Sequence, residues 1–198
     1  MNNLPRLLAL NIGLNITEIP SNAIVPVSGN QSSLFFVGVT GKYHNLTVKS
    51  NAFQHLNLAT ITFFKTTIKT IEKDAFKVNS ETGFISTDIQ FIGCNLTGET
   101  FQNGSFDGKN RINVMFLDSD INYLSEGAFK KVLNYRYGSI LFHESRYTSS
   151  LDCSDCRNYW LIKENRQNQV PYANCKGEGY KKSLFDDDIK SKLSQKCK

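Results

Sequence analysis

Histidine is scarce in this chain, with three in 198 residues at His44, His55 and His143, far apart in sequence. "HES" at His143 lacks the second histidine of a zinc-protease helix, and a strand-borne histidine beside a glutamate reads more simply as a surface pair. No stretch approaches the roughly 18 apolar residues that a membrane-spanning helix needs. The chain also stops one residue after Cys197, so no lipid-anchor tail is expected. No basic block exceeds two residues, and the net charge of +5 is spread along the sequence. That balance leans toward acidic partners but is no nucleic-acid signature. There is no glycine-rich phosphate loop, and Ser105, Ser119 and Ser125 lack a nucleophile-elbow context. "DSDINYLSEGAF" from Asp118 begins like a calcium loop, then fails: Tyr123 stands where the sharp turn needs glycine and Phe129 where a bidentate glutamate belongs. Together these absences predict a protein that is not an enzyme and that uses no cofactor or metal.

What the chain does have is apolar material for one core: 40% hydrophobic residues, 14 of them phenylalanine, against 21% charged. Part of that material recurs. "VKSNAF", "IEKDAF", "FQNGSF" and "LSEGAF" end at Phe53, Phe76, Phe106 and Phe129, spaced by 23, 30 and 23 residues. A second pattern, apolar-x-apolar-x-x-small-x-apolar, precedes three of them: "ITFFKTTI" from Ile61, "IQFIGCNL" from Ile89 and "VMFLDSDI" from Val114. "ILFHESRY" from Ile140 repeats it, and "ITEIPSNAI" matches the later half of a unit.

This is the pattern of a leucine-rich repeat. A short strand points alternate residues such as Ile61 and Phe63 inward. A small residue (Thr66, Cys94 or Ser119) then turns the chain and can satisfy turn backbone groups. Ile68, Leu96 and Ile121 return to the core, and the phenylalanines plug the convex side. One unit cannot bury its own apolar face, so units must stack. The expected fold is therefore α/β, a right-handed horseshoe solenoid with short parallel strands on its concave face. Residues 28–45 read as irregular, and the 30-residue unit carries a loop near Asn79 to Gly83.

The N-terminal "MNNLPRLLALNIGL" loosely resembles a signal peptide, but Asn11 interrupts its apolar run and no small-residue cleavage site follows. The better account is that the array begins at or before residue 8, with its first unit incomplete. Leu7, Leu8 and Leu10 would then lie on an open solenoid edge, which predicts a longer parent protein and self-association through this end.

Four cysteines follow the last repeat, spaced C-x2-C-x18-C-x21-C at Cys153, Cys156, Cys175 and Cys197. Trp160 shares a helical face with Cys156, and Ile189, Leu193 and Cys197 form one stripe of a helix opened by Asp186 to Asp188. Apolar stripes containing cysteine suit disulfides. Zinc would prefer a second close pair, and a redox pair would want a βαβ setting. The expected arrangement is a repeat array over residues 1–150, about five to six units, sealed by a helical disulfide cap over residues 151–198. Sequence alone permits three pairings. Cys94, inside a repeat turn, reads as a buried free thiol, with an intermolecular disulfide as the alternative.

In this respect the chain resembles extracellular leucine-rich repeat proteins with a cysteine-rich C-terminal cap, as in Slit-like, Toll-like and Nogo-receptor-like proteins. "LDCSDCRNYWLI" is its most specific part, a cysteine pair followed by Trp-Leu, and the resemblance runs from about Leu8 to Cys197. Within that group the chain is similar to secreted arthropod proteins resembling the non-catalytic subunit of shrimp luciferase. It departs in having C-x2-C where the family usually has C-x-C, and in lacking an N-terminal cysteine cap. The resemblance implies Cys153–Cys175 and Cys156–Cys197 pairing.

Disulfides imply an oxidising compartment. Five sequons, at Asn15, Asn30, Asn45, Asn95 and Asn103, exceed the about two expected by chance and support a secreted glycoprotein. A solenoid displays outward side chains in register, so binding another protein on the concave face is the expected function. Outward positions are Thr62, Gln90, Met115 and Leu141, then Phe64, Ile92, Leu117 and His143, followed by Lys65, Gly93, Asp118 and Glu144. Phe64, Ile92 and Leu117 would form an apolar row, unless flanking residues cover it or the register slips by one. A secreted, non-enzymatic scaffold or non-catalytic subunit is the first reading. The C-terminal part of a receptor ectodomain without its membrane anchor is the second. A heparin-binding matrix protein is a weaker third, resting on Lys130, Lys131 and Arg136.

Overall fold

The computed structural model describes residues 9–13, 16–23, 33–40, 45–53, 57–77, 86–107, 111–142, 150–177 and 182–197. Six strands form one parallel sheet: β1 (Ala9–Gly13), β3 (Ser33–Thr40), β5 (Asn57–Phe64), β7 (Thr87–Ile92), β8 (Ile112–Leu117) and β9 (Ser139–Phe142), adjacent in that order. Three shorter strands, β2 (Glu18–Ile19), β4 (Leu46–Val48) and β6 (Ile68–Ile71), make a second parallel sheet. The chain is thus a parallel-strand solenoid, mixed α/β in content.

The register explains why the repeats stack. Leu10, Val37, Ile61, Ile89, Val114 and Ile140 lie side by side on successive strands, and two residues on so do Ile12, Val39, Phe63, Phe91, Phe116 and Phe142. From Ile61 and Phe63 onward these inward positions are fully buried. Phe63, Phe91, Phe116 and Phe142 form a column of stacked rings with centroids 5.2, 5.5 and 5.2 Å apart. A second column, Phe53, Phe76, Phe106 and Phe129, runs at 5.6, 5.3 and 5.1 Å. Phe101 joins the two, 5.5 Å from Phe91 and 4.9 Å from Phe129. Offset and edge-on ring pairs add about 0.5–1.5 kcal/mol each beyond the area they bury.

One expectation is corrected here. The stretch over residues 28–45 is not irregular throughout, because β3 supplies a full strand of the main sheet. Val37 and Val39 align in register with Ile61 and Phe63, but Leu46 stands seven positions after Val39 where Ile68 stands five after Phe63. That longer spacing in the sequence hides the pattern.

Turn backbone groups are satisfied from coil to coil. Thr66 Oγ1, Cys94 Sγ and Ser119 Oγ donate to the carbonyls of Val39, Phe63 and Phe91 in the preceding coil, at 3.5, 3.3 and 3.1 Å. On the far side, Asn22 N, Asn51 N, Asp74 N and Gly104 N donate in series to Asn51, Asp74, Gly104 and Gly127 carbonyls, at 3.2, 3.1, 2.9 and 2.9 Å. Asn22, Asn51, Asp74 and Gly104 all have positive φ, and at Asn51, Asp74 and Gly104 this left-handed turn leads Phe53, Phe76 and Phe106 into the core. In the last of these segments α1 (Glu126–Asn134) replaces the turn and buries Phe129, Val132 and Leu133.

The disulfides are Cys153–Cys175 and Cys156–Cys197, with Cα atoms 5.2 and 5.3 Å apart. Two helices belong to this region, α2 (Tyr159–Lys163) and α3 (Asp187–Lys196). Cys156–Asn158 is a 3-10 turn, so α2 is shorter than the Cys156–Trp160 spacing suggests. The backbone ladder does not stop at residue 150. Ile121 N donates to Ser150 O, and Leu151 N to Asn174 O, so Leu151 and Cys175 extend the buried row of Ile68, Leu96 and Ile121. Ile140 N, on the outer edge of β9, donates to Gln169 O at 2.8 Å. Leu161, Val170 and Leu184 are fully buried in the same core as the repeats.

Candidate functional site on the solvent face of the main sheet

Side chains that alternate with the buried ladder point away from the core. One such row is Thr40, Phe64, Ile92 and Leu117, aligned across β3, β5, β7 and β8. Phe64 is 40% exposed, while Ile92 and Leu117 are half-buried. The row before it holds Gly38, Thr62, Gln90, Met115 and Leu141. Met115 and Leu141 are half-buried and continue the apolar surface toward β9.

Thr62, expected to face solvent, is 7% exposed, because Gln90 reaches across it: Thr62 Oγ1 donates to Gln90 Oε1 at 3.2 Å. His143 and Glu144 lie outside the described residues, as do Asn15 and Asn30. Asn45, Asn95 and Asn103 are exposed. Leu7 and Leu8 also fall outside, and Leu10 lies on β1, which pairs with β3 on one edge only among the described residues.

The face is polarised along the strands. Toward the starts of β7, β8 and β9, Asp88, Asn113 and Ser139 share a row with Thr60 of β5. Asn113 Nδ2 donates to Asp88 Oδ1 at 2.7 Å and Ser139 Oγ to Asn113 Oδ1 at 3.2 Å. At strand ends the chain turns through positive φ at Lys65, Gly93 and Asp118. Gly93 keeps the centre low, since a Cβ there would lie 3.3 Å from Lys65 Cγ and 3.9 Å from Asp118 Oδ2. Lys65 Nζ sits 5.0 Å from the Phe64 ring centroid, so its cation shields part of that ring. The result is an apolar strip bounded by a hydrogen-bonded polar row on one side and by Lys65 and Asp118 on the other. A strip so bounded suits capture of apolar side chains from a protein partner, with charged groups at the rim fixing orientation.

Other functional-looking groups escaped the sequence. Asn158, fully buried, accepts from Leu124 N at 2.9 Å and donates to the carbonyls of Asn122 and Asp152 at 3.2 and 2.9 Å. Trp160 Nε1 donates to Leu124 O at 2.8 Å beside it. Arg157 lies 3.6 Å from the Tyr123 ring centroid and pairs with both Glu99 and Asp155 at 2.7 Å. The Asp155 hydrogen bond raises the guanidinium pKa further, and Arg157 in turn holds Asp155 below the usual carboxylate range. Only the position of Asn158 between Cys156 and Trp160 could have singled it out. These groups join the C-terminal region to the array. A cavity of about 370 Å³ opens beside the Cys153–Cys175 bridge, floored by Ile189 and Leu193.

The fold and this face define a parallel-strand solenoid with a disulfide-bonded C-terminal region and an apolar strip on its main sheet. The chain matches no protein-family model, no curated protein and no solved structure.

Proposed function

We propose that the chain is a leucine-rich repeat solenoid closed by a cysteine-rich C-terminal cap, working as a secreted, non-enzymatic protein-binding scaffold or non-catalytic subunit. The in-register row Phe64–Ile92–Leu117, with the 40% exposed Phe64 as its most prominent member, carries this reading. A soluble protein that places three apolar side chains side by side on an open sheet face pays a hydration cost that binding removes. The small-residue ladder at Thr66, Cys94 and Ser119 supports the repeat assignment, and the two disulfides suit an extracellular setting. Exposed Asn45, Asn95 and Asn103 suit glycan attachment.

The test is affinity capture from the native extracellular fluid, comparing the wild-type chain with Phe64→Ala/Leu117→Asp. A partner retained by wild type and lost at least tenfold by the double variant, about 1.4 kcal/mol, is the expected result. Unchanged capture by a folded double variant would transfer the function to another surface.

A further inference from the structure

We propose that Arg111, Tyr137 and Arg136 form a binding site for a sulfated, uronate-bearing glycan chain, separate from the apolar strip. Tyr137 is 63% exposed. It has a φ of 72° on a tight turn closed by Gly138 N donating to Tyr135 O at 2.9 Å. Gly138 is buried against α1, where a Cβ would stand 1.9 Å from Val132 O, so the turn that presents the ring is packed in place. Two cations converge on that ring: Arg136 Cζ lies 5.0 Å and Arg111 Cζ 5.7 Å from its centroid. The second contact follows from sheet register, since Asn113 faces Ser139 and Arg111 and Tyr137 each stand two residues upstream.

Two acids in neighbouring chain segments are paired with lysines, while Asp88 accepts from the neutral Asn113. Asp107 pairs with Lys131 at 3.3 Å and Glu126 with Lys130 at 2.8 Å. Among the described residues neither Arg111 nor Arg136 forms an ion pair with a carboxylate. Two exposed guanidiniums held beside one aromatic ring, with no ion pair among the described residues, are preorganised for anions. Each planar fork takes a sulfate or carboxylate through paired hydrogen bonds, which a lysine ammonium cannot reproduce. The tyrosine ring, largely exposed, offers the part of its surface that the guanidiniums leave open to the C–H face of a sugar. The adjoining row supplies neutral hydrogen-bonding groups at Ser139 and Asn113 for sugar hydroxyls, while Asp88 beyond them would repel a sulfate. That asymmetry sets the direction in which the chain runs. The disulfides favour an extracellular setting, where the polyanions are glycans rather than nucleic acid.

The experiment measures binding of a fluorescent heparin-derived octasaccharide to the full chain by anisotropy at about 0.15 M salt. Arg111→Gln/Arg136→Gln should weaken binding at least tenfold. Arg136→Lys, which keeps the charge and removes the fork, should fall between this variant and wild type. Phe64→Ala should bind as wild type, and the desulfated octasaccharide should not bind. Wild-type affinity in the double arginine variant, or in Arg136→Lys should the double variant fail to fold, would overturn the site. Equal competition by single-stranded DNA of matched charge, or equal binding of the desulfated sugar, would overturn the ligand class.

Discussion

Ser119 Oγ accepts a hydrogen bond from the backbone N–H of Cys94 at 2.9 Å while donating to Phe91 O, so consecutive small residues are wired to each other as well as to the strands. Cys94 Sγ takes the same role one coil earlier, and burial pushes its thiol up to about 11. The thiol therefore stays protonated, and unreactive, at any pH well below that value. In the native protein at pH 8, iodoacetamide should leave Cys94 unlabelled and should modify it once denaturant is added. Non-reducing peptide mapping should find Cys94 free. Cys94→Ser, which copies Ser119, should shift Tm little, whereas Cys94→Val should lower it by removing the donor.

Phe76 lies between Phe53 and Phe106 at 5.6 and 5.3 Å and is fully buried. Phe76→Ala should cost about 3–5 kcal/mol in a urea titration, through lost burial and a cavity that the stacked neighbours cannot fill. Phe64→Ala, at an exposed position, should cost well under half of that. Similar losses for both would mean that Phe64 belongs to the core.

Asn158→Ala strands the Leu124 N–H and two carbonyls in a buried setting. The expected loss is about 2–4 kcal/mol, larger than for Asn168→Ala on the exposed surface of the same region. Thermal denaturation of the two variants side by side distinguishes them.

Several carboxylates titrate below their ordinary range. The hydrogen bond from Lys49 lowers Glu72, those from Lys130 and Arg166 lower Glu164, and that from Arg157 lowers Asp155. A group whose folded pKa is depressed contributes stability that is present above its unfolded pKa, about 4.3 for glutamate, and lost as pH falls through the folded value. Tm should therefore be level near neutrality and decline as pH drops below about 4. Glu164→Gln should make that acid decline shallower, and an unchanged acid limb would remove Glu164 from the account.

The inward ladder was legible because Ile61, Phe63 and Ile68 recur with nearly constant spacing, and a periodic apolar pattern reports burial directly. The strand at Val37 and Val39 was not, since the longer stretch of sequence before Leu46 broke the spacing while leaving the pairing intact. Outward residues were legible in position but not in environment. Thr62 is covered by Gln90 and Phe64 is flanked by Lys65, contacts made across strands or around a turn that linear order does not specify. Asn158 lay beyond reach for a related reason: its partners Asn122 and Leu124 are more than thirty residues upstream.

The two bridges also govern what happens when a protease cuts near the C-terminus. Cys153–Cys175 and Cys156–Cys197 interleave along the chain, with sequence separations of 22 and 41. A single break anywhere between residues 157 and 196 leaves both pieces covalently attached, and one between 157 and 174 leaves them attached twice. Clipped molecules would thus run at full length on a gel without reductant and separate only when thiols are added.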